Sequence, residues 1–69
     1  MKIKLGQRLK TLREEKGLTQ KQLAEVFKIN AVTYLHYEKA QREPPLELLA
    51  DIAEFYGVSV DFLLGIKDY

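Results

Sequence analysis

The residues able to do acid–base, nucleophilic or metal chemistry are few in this 69-residue chain, and they are not grouped. There is one histidine, His36, and no cysteine. Without cysteine there is no disulfide framework, no zinc–thiolate cluster and no thiolate nucleophile. The lone His has no evident partner in sequence, so it points neither to a metal site nor to a proton relay. The acids are scattered over helix surfaces, and no glycine-rich loop exists to cradle a phosphate. An enzyme is therefore the weakest reading, and no cofactor or metal is expected.

The charged residues are distributed unevenly. Net charge is only +1, but from Met1 to Arg42 ten Lys/Arg stand against four Glu, a balance of +6. From Glu43 to Tyr69 one Lys stands against six acids, a balance of −5. That asymmetry suggests a basic face for a polyanion and an acidic end turned away from it. Chance clustering of solvated surface charge would look the same.

The elements that must carry these residues are helical throughout, and the length fits one domain, residues 1–69. Leu5, Leu9 and Leu12 stand at i, i+4 and i+7 on a first helix, which Gly17 stops. Thr19 with Gln22 three residues on forms a capping box for a second helix carrying Leu23, Ala24 and Phe27. Asn30 caps a third helix that runs to about Lys39 or Ala40. So tight a turn between the second and third helices forces a large crossing angle, as in a helix-turn-helix spanning 19–39. Pro44-Pro45 breaks the chain, and Pro45 is expected as the first residue of a fourth helix with Leu46, Leu49, Ile52, Ala53 and Tyr56 on its core face, ended by Gly57. Ser59 caps a last helix, Val60 to Leu64, ended by Gly65. The expected fold is all-α, a compact five-helix bundle.

The ordered signals resemble the lambda-repressor-like (Cro/repressor, XRE-type) helix-turn-helix family. The matching residues are Gly6, Arg8 and Leu12-Arg13, then Gly17-Leu18-Thr19-Gln20 and Leu23-Ala24. Tyr37-Glu38, Arg42 with Pro44, Gly57-Val58-Ser59-Val60-Asp61 and Leu63-Leu64 follow, so the match runs from about Leu5 to Leu64. The resemblance implies a helix two over the DNA backbone and a helix three in the major groove. Three departures stand out. Lys28 replaces the usual Gly of the turn, Ala40 replaces the usual Gly after helix three, and Ala31 and Val32 replace small polar residues early in the reading helix. The first two imply backbone strain if the left-handed conformation is kept.

What the resemblance implies for individual residues is as follows. Gln20 would bond a phosphate oxygen, with an ordinary exposed Gln as the alternative. Ala31, Val32 and His36 would face bases, while Thr33 and Lys39 approach the backbone. Ala31 and Val32 could pack only on thymine C5-methyl groups, so a thymine is expected under Val32; otherwise they are helix filler. His36 would donate to guanine or phosphate, or be a surface His without a role. Tyr34 takes a core position, and Tyr37 would reach a phosphate. Leu35 is a large apolar residue on a face usually polar. Arg13 and Glu38 would form an ion pair that ties helix one to helix three and aims Arg13 at a phosphate. Arg42, Arg8, Lys10 and Lys28 would add phosphate contacts or remain solvated.

Leu48, Phe55, Phe62 and Ile66 are apolar beyond what the core face needs, and together suggest a two-fold dimer patch. Alternatively the last turns fold over it. The implied partner is double-stranded DNA with a palindromic operator, bound by a homodimer with reading helices about one DNA turn apart. The implied function is a transcriptional regulator, a repressor of a phage, mobile-element or stress operon. The competing class is a protein-interaction module, an antitoxin or antirepressor, with Leu35, Phe55 and Phe62 facing protein. The opening Met1-Lys2-Ile3-Lys4 does not read as a signal peptide, and no stretch approaches the roughly 18 apolar residues of a membrane span. A cytoplasmic location is expected.

Overall fold

Five α-helices and no strand make up the computed structural model, which describes residues 2–68. They are α1 (Lys2–Glu15), α2 (Gln20–Val26), α3 (Ala31–Glu38), α4 (Leu46–Tyr56) and α5 (Val60–Leu64). Met1 and Tyr69, the ends of the single domain expected from the sequence, lie outside the described residues.

Local chemistry sets most of the boundaries. Thr19 Oγ1 accepts the Gln22 amide at 3.0 Å while the Gln22 side chain accepts the Thr19 amide at 2.9 Å, so the expected capping box is formed. Asn30 Oδ1 accepts the Val32 amide at 2.7 Å and Ser59 Oγ accepts the Phe62 amide at 2.9 Å. Pro45 corrects the expectation by one position. Its ψ of 157° keeps it extended, and its carbonyl accepts the first helical bond, from Leu49 N at 3.0 Å. It is thus the N-cap, and α4 begins at Leu46.

The two unusual residues do adopt left-handed backbone, with φ of 57° at Lys28 and 59° at Ala40. The reason lies in the hydrogen bonds that end α2 and α3. Ile29 N reaches back to Ala24 O at 2.9 Å and Lys28 N to Glu25 O at 3.2 Å. Gln41 N and Ala40 N do the same toward His36 O and Tyr37 O, at 2.9 and 3.2 Å. This pattern satisfies otherwise orphaned carbonyls only if the residue after the cap is left-handed, whatever its side chain.

The core is built from Leu5 and Leu9 of α1, Leu23 and Ala24 of α2, and Tyr34 and Tyr37 of α3. Leu49, Ile52 and Ala53 of α4 and Leu63 of α5 complete it. Gly6 lets α1 approach the C-terminal end of α3: a Cβ there would run into the Glu38 carbonyl oxygen and lie 3.2 Å from that of Tyr37. Both are backbone atoms, which cannot step aside as the end of a flexible side chain would.

The residues expected to form one dimer patch do not present one open surface. Leu48 and Phe55 pack against the core. The Phe55 ring meets Phe27 and Tyr56 edge-on, at 5.5 and 5.0 Å between centroids, and Lys16 Nζ lies 5.2 Å above it. Phe62 is covered by the Arg8 guanidinium, 4.1 Å from the ring centre. Of the four only Ile66, 59% exposed, is more exposed than half-buried.

Candidate nucleic-acid interface

The third helix is only eight residues long, so its orientation depends on what holds it. Tyr34 and Tyr37, at i and i+3, are 0% and 4% exposed and pin one face to the core. Residues at 3.6 per turn then place Val32, His36 and Lys39 (i, i+4, i+7) on the opposite face. Val32 is 58% exposed, Lys39 is exposed and His36 is half-buried. Ala31 and Leu35 flank that stripe on one side and Thr33 on the other, all half-buried. Leu35 is not part of the core, so its apolar surface belongs to the margin of the outward face. Tyr37 packs its ring inward at its spacing from Tyr34, where the core gains a large apolar group.

The inner margin of α3 is held by the expected ion pair. Arg13 Nε donates to Glu38 Oε2 at 2.6 Å and Arg13 Nη2 to Oε1 at 3.3 Å. The third guanidinium nitrogen, Nη1, donates to Leu18 O at 2.8 Å. The side chains are 12% and 4% exposed. All three Arg13 nitrogens thus serve the protein, and the guanidinium is a strut between α1, the turn before α2, and α3. The tie between helix one and helix three expected of the Arg13–Glu38 pair is formed, with the guanidinium turned onto protein acceptors.

Gln20 joins this cluster, donating from Nε2 to Glu38 Oε1 at 3.1 Å. Burial pushes the Glu38 carboxyl upward, but the Arg13 bonds and the neighbouring Tyr34 and Gln20 outweigh it, and the net shift is down. The same bond to Glu38 raises Arg13. The Tyr34 hydroxyl, buried beside the pair, has no hydrogen bond of good geometry, so its influence on Glu38 is electrostatic rather than that of a formed bond. Burial, then the nearby carboxylate, pushes the Tyr34 phenol far up and that of Tyr56 up to about 12.

Two further placements were not visible in the sequence. The Gln20–Glu38 bond joins residues 18 apart on different helices, and nothing local marks it. Arg8 donates to Phe62 O at 2.9 Å and Lys67 O at 3.2 Å, and lies 3.7 Å from the Asp68 carboxylate. It clamps the end of the chain to α1 across more than fifty residues of sequence, which removes it from the expected phosphate contacts. Lys10, Lys28, Lys39 and Arg42 remain exposed. Among the described residues no cluster of three metal-ligating side chains occurs, and no helix is long and apolar enough to cross a membrane.

A capped two-helix turn that presents one short helix outward from a five-helix core defines a class, the helix-turn-helix domain. A family profile described as Helix-turn-helix matches residues 9–63, and the chain belongs to that family. It is 45% identical over 62 residues to an uncharacterized HTH-type transcriptional regulator, YobD, of Bacillus subtilis (strain 168), covering 90% of this chain and 55% of that protein. It is 40% identical over 63 residues to the HTH-type transcriptional regulator ImmR of the same strain, covering 91% of this chain and 50% of ImmR. The Cryptic phage CTXphi transcriptional repressor RstR of Vibrio cholerae is 38% identical over 58 residues, 84% of this chain and 52% of that repressor. The chain therefore spans about half the length of the curated relatives it matches.

Proposed function

We propose that this chain binds double-stranded DNA sequence-specifically and acts as a transcriptional regulator, a repressor of a phage, mobile-element or stress operon. The observation that carries this reading is the outward stripe Val32–His36–Lys39 on a helix whose other face is fixed by Tyr34 and Tyr37. A helix of about 10 Å diameter, held rigidly and exposed on one side, fits the major groove. The relatives' printed names, a phage repressor among them, support the regulatory role.

In this reading Val32, His36 and the edge formed by Ala31 face bases, while Lys39, Thr33 and Arg42 approach phosphates. Gln20 supports both jobs of its carboxamide. One N–H is given to Glu38, and the amide's second N–H remains for a phosphate oxygen. Two copies on a palindromic duplex would place two such helices about 34 Å apart, with Ile66, 59% exposed, and Leu46, expected on the core face but 75% exposed, each available for pairing. The protein-interaction alternative has less support, because Phe55 and Phe62 are already covered from within.

A gel shift against a pool of random duplexes tests the reading. Gln20→Ala is expected to weaken binding about tenfold or more, the size of one lost hydrogen bond to a charged oxygen. Lys39→Ala is expected to lower the slope of log affinity against log salt by about one. Binding that is absent in the wild type, or untouched by either change, counts against the proposal.

A further inference from the structure

We propose that the apolar edge of α3 reads the C5-methyl group of a pyrimidine rather than the base that carries it, so that 5-methylcytosine serves in place of thymine under Val32. The inference rests on the duplex-reading role proposed above.

Val32 is the most exposed part of that edge, 58% accessible on the first turn of α3. Its side chain has no donor or acceptor. Its backbone amide is also engaged, held by Asn30 Oδ1 at 2.7 Å. The flanking residues Ala31 and Leu35 are equally apolar. In the major groove the only apolar mark is the methyl at C5. Thymine and 5-methylcytosine both carry it, while uracil and cytosine do not. Thymine differs from 5-methylcytosine at position 4, an acceptor oxygen in one and a donor amine in the other. Telling them apart needs a polar group at that base pair; Ala31, Val32 and Leu35 have none, and the adjacent Asn30 carboxamide has its oxygen turned back onto the Val32 amide. The outward polar side chains, His36 and Lys39, lie about 6 and 10 Å further along the helix axis, and Thr33 points about 100° away. They meet other base pairs or the backbone.

The consequence is a regulator whose site set changes with DNA modification. A sequence with cytosine under Val32 is a poor site, and methylation of that cytosine makes it a good one. The effect is the burial of one methyl group, about three- to fivefold in affinity per half-site.

The test begins with duplexes selected from a random pool by the 69-residue chain. Each thymine of the selected site is replaced singly by uracil, and affinities of wild type and Val32→Ala are compared. One thymine is expected to show a three- to fivefold loss in the wild type that disappears in the variant. At that position cytosine opposite guanine is expected to bind as weakly as uracil, and 5-methylcytosine opposite guanine as tightly as thymine. Circular dichroism of Val32→Ala, an exposed helix position, confirms that the variant is folded. If no thymine shows a Val32-dependent loss, or if 5-methylcytosine binds no better than cytosine, methyl reading is overturned while duplex reading stands. If no sequence is selected at all, the duplex-reading role fails and this inference fails with it.

Discussion

Glu38 shows how one side chain joins the scaffold to the interface. It accepts from Arg13 at 2.6 Å and from Gln20 at 3.1 Å while only 4% of its side chain is exposed. Removing one partner of such a pair leaves a buried charge unmatched, so Arg13→Ala is expected to cost about 3–5 kcal/mol, read by denaturant unfolding. The carboxyl is held below its ordinary value in the folded state. Its contribution is therefore complete above the unfolded carboxyl range and is lost as pH falls from about 4.3 through the lower folded value. The Tyr56 phenol works in the opposite sense. Its folded value is raised to about 12, so its contribution holds below the unfolded value and fades as pH rises toward the folded one. Urea titrations across pH should show a steep acid loss that Glu38→Gln flattens; an unchanged acid limb in Glu38→Gln would contradict this account of the pair. The ion pair itself was legible in the sequence, through Arg13 and Glu38 in the family pattern. The third member, Gln20, was not, because its bond spans two helices and no spacing rule connects them. The core packing of the Tyr37 ring was not read either: the same residue type serves core and surface, and only its angle to Tyr34 turns the ring inward.

At the scale of elements, the boundaries were legible wherever a side chain makes the cap. Thr19, Asn30 and Ser59 all bond the amides that their positions predicted. Pro45 was placed one residue off because a fixed φ suits both the N-cap and the first helical position, and ψ alone separates them. The helix ends at Lys28 and Ala40 carry a cost that the fold tolerates, with φ of 57° and 59° on residues that possess a Cβ. Left-handed backbone costs a non-glycine residue about 1–2 kcal/mol, against which glycine loses some entropy on folding. Lys28→Gly and Ala40→Gly are each expected to raise stability by about 0.5–1 kcal/mol, or a few degrees in Tm for a domain of this size. Thermal melts of the two variants check this, and a fall in both would contradict the strain account. Lys28 is also exposed beside the reading helix, so measuring DNA affinity in Lys28→Gly separates its backbone cost from any service as a cation.

For the whole molecule, a basic first part and an acidic remainder of the sequence sum to little net charge. The cations left exposed by the fold, among them Lys10, Lys28, Lys39 and Arg42, belong to the basic part. Two other arginines of that part, Arg8 and Arg13, are committed to internal contacts, so the cations available to a polyanion are fewer than the sequence count. The dimer patch was the least legible feature. Apolar residues beyond the expected core face looked like a surface, but Arg8 lies over Phe62, and Phe27 and Tyr56 pack against Phe55. Covering of this kind joins residues far apart in sequence and has no periodic signature. The central claim is that the outward face of α3 selects duplex sequence. In-vitro selection of bound duplexes from a random pool tests it most directly. The account predicts an enriched palindrome with a thymine in each half-site, half-site centres about one turn apart, and loss of enrichment at that thymine in Val32→Ala. A pool that binds without enriching any sequence, or an enriched site indifferent to Val32, His36 and Lys39, would contradict it.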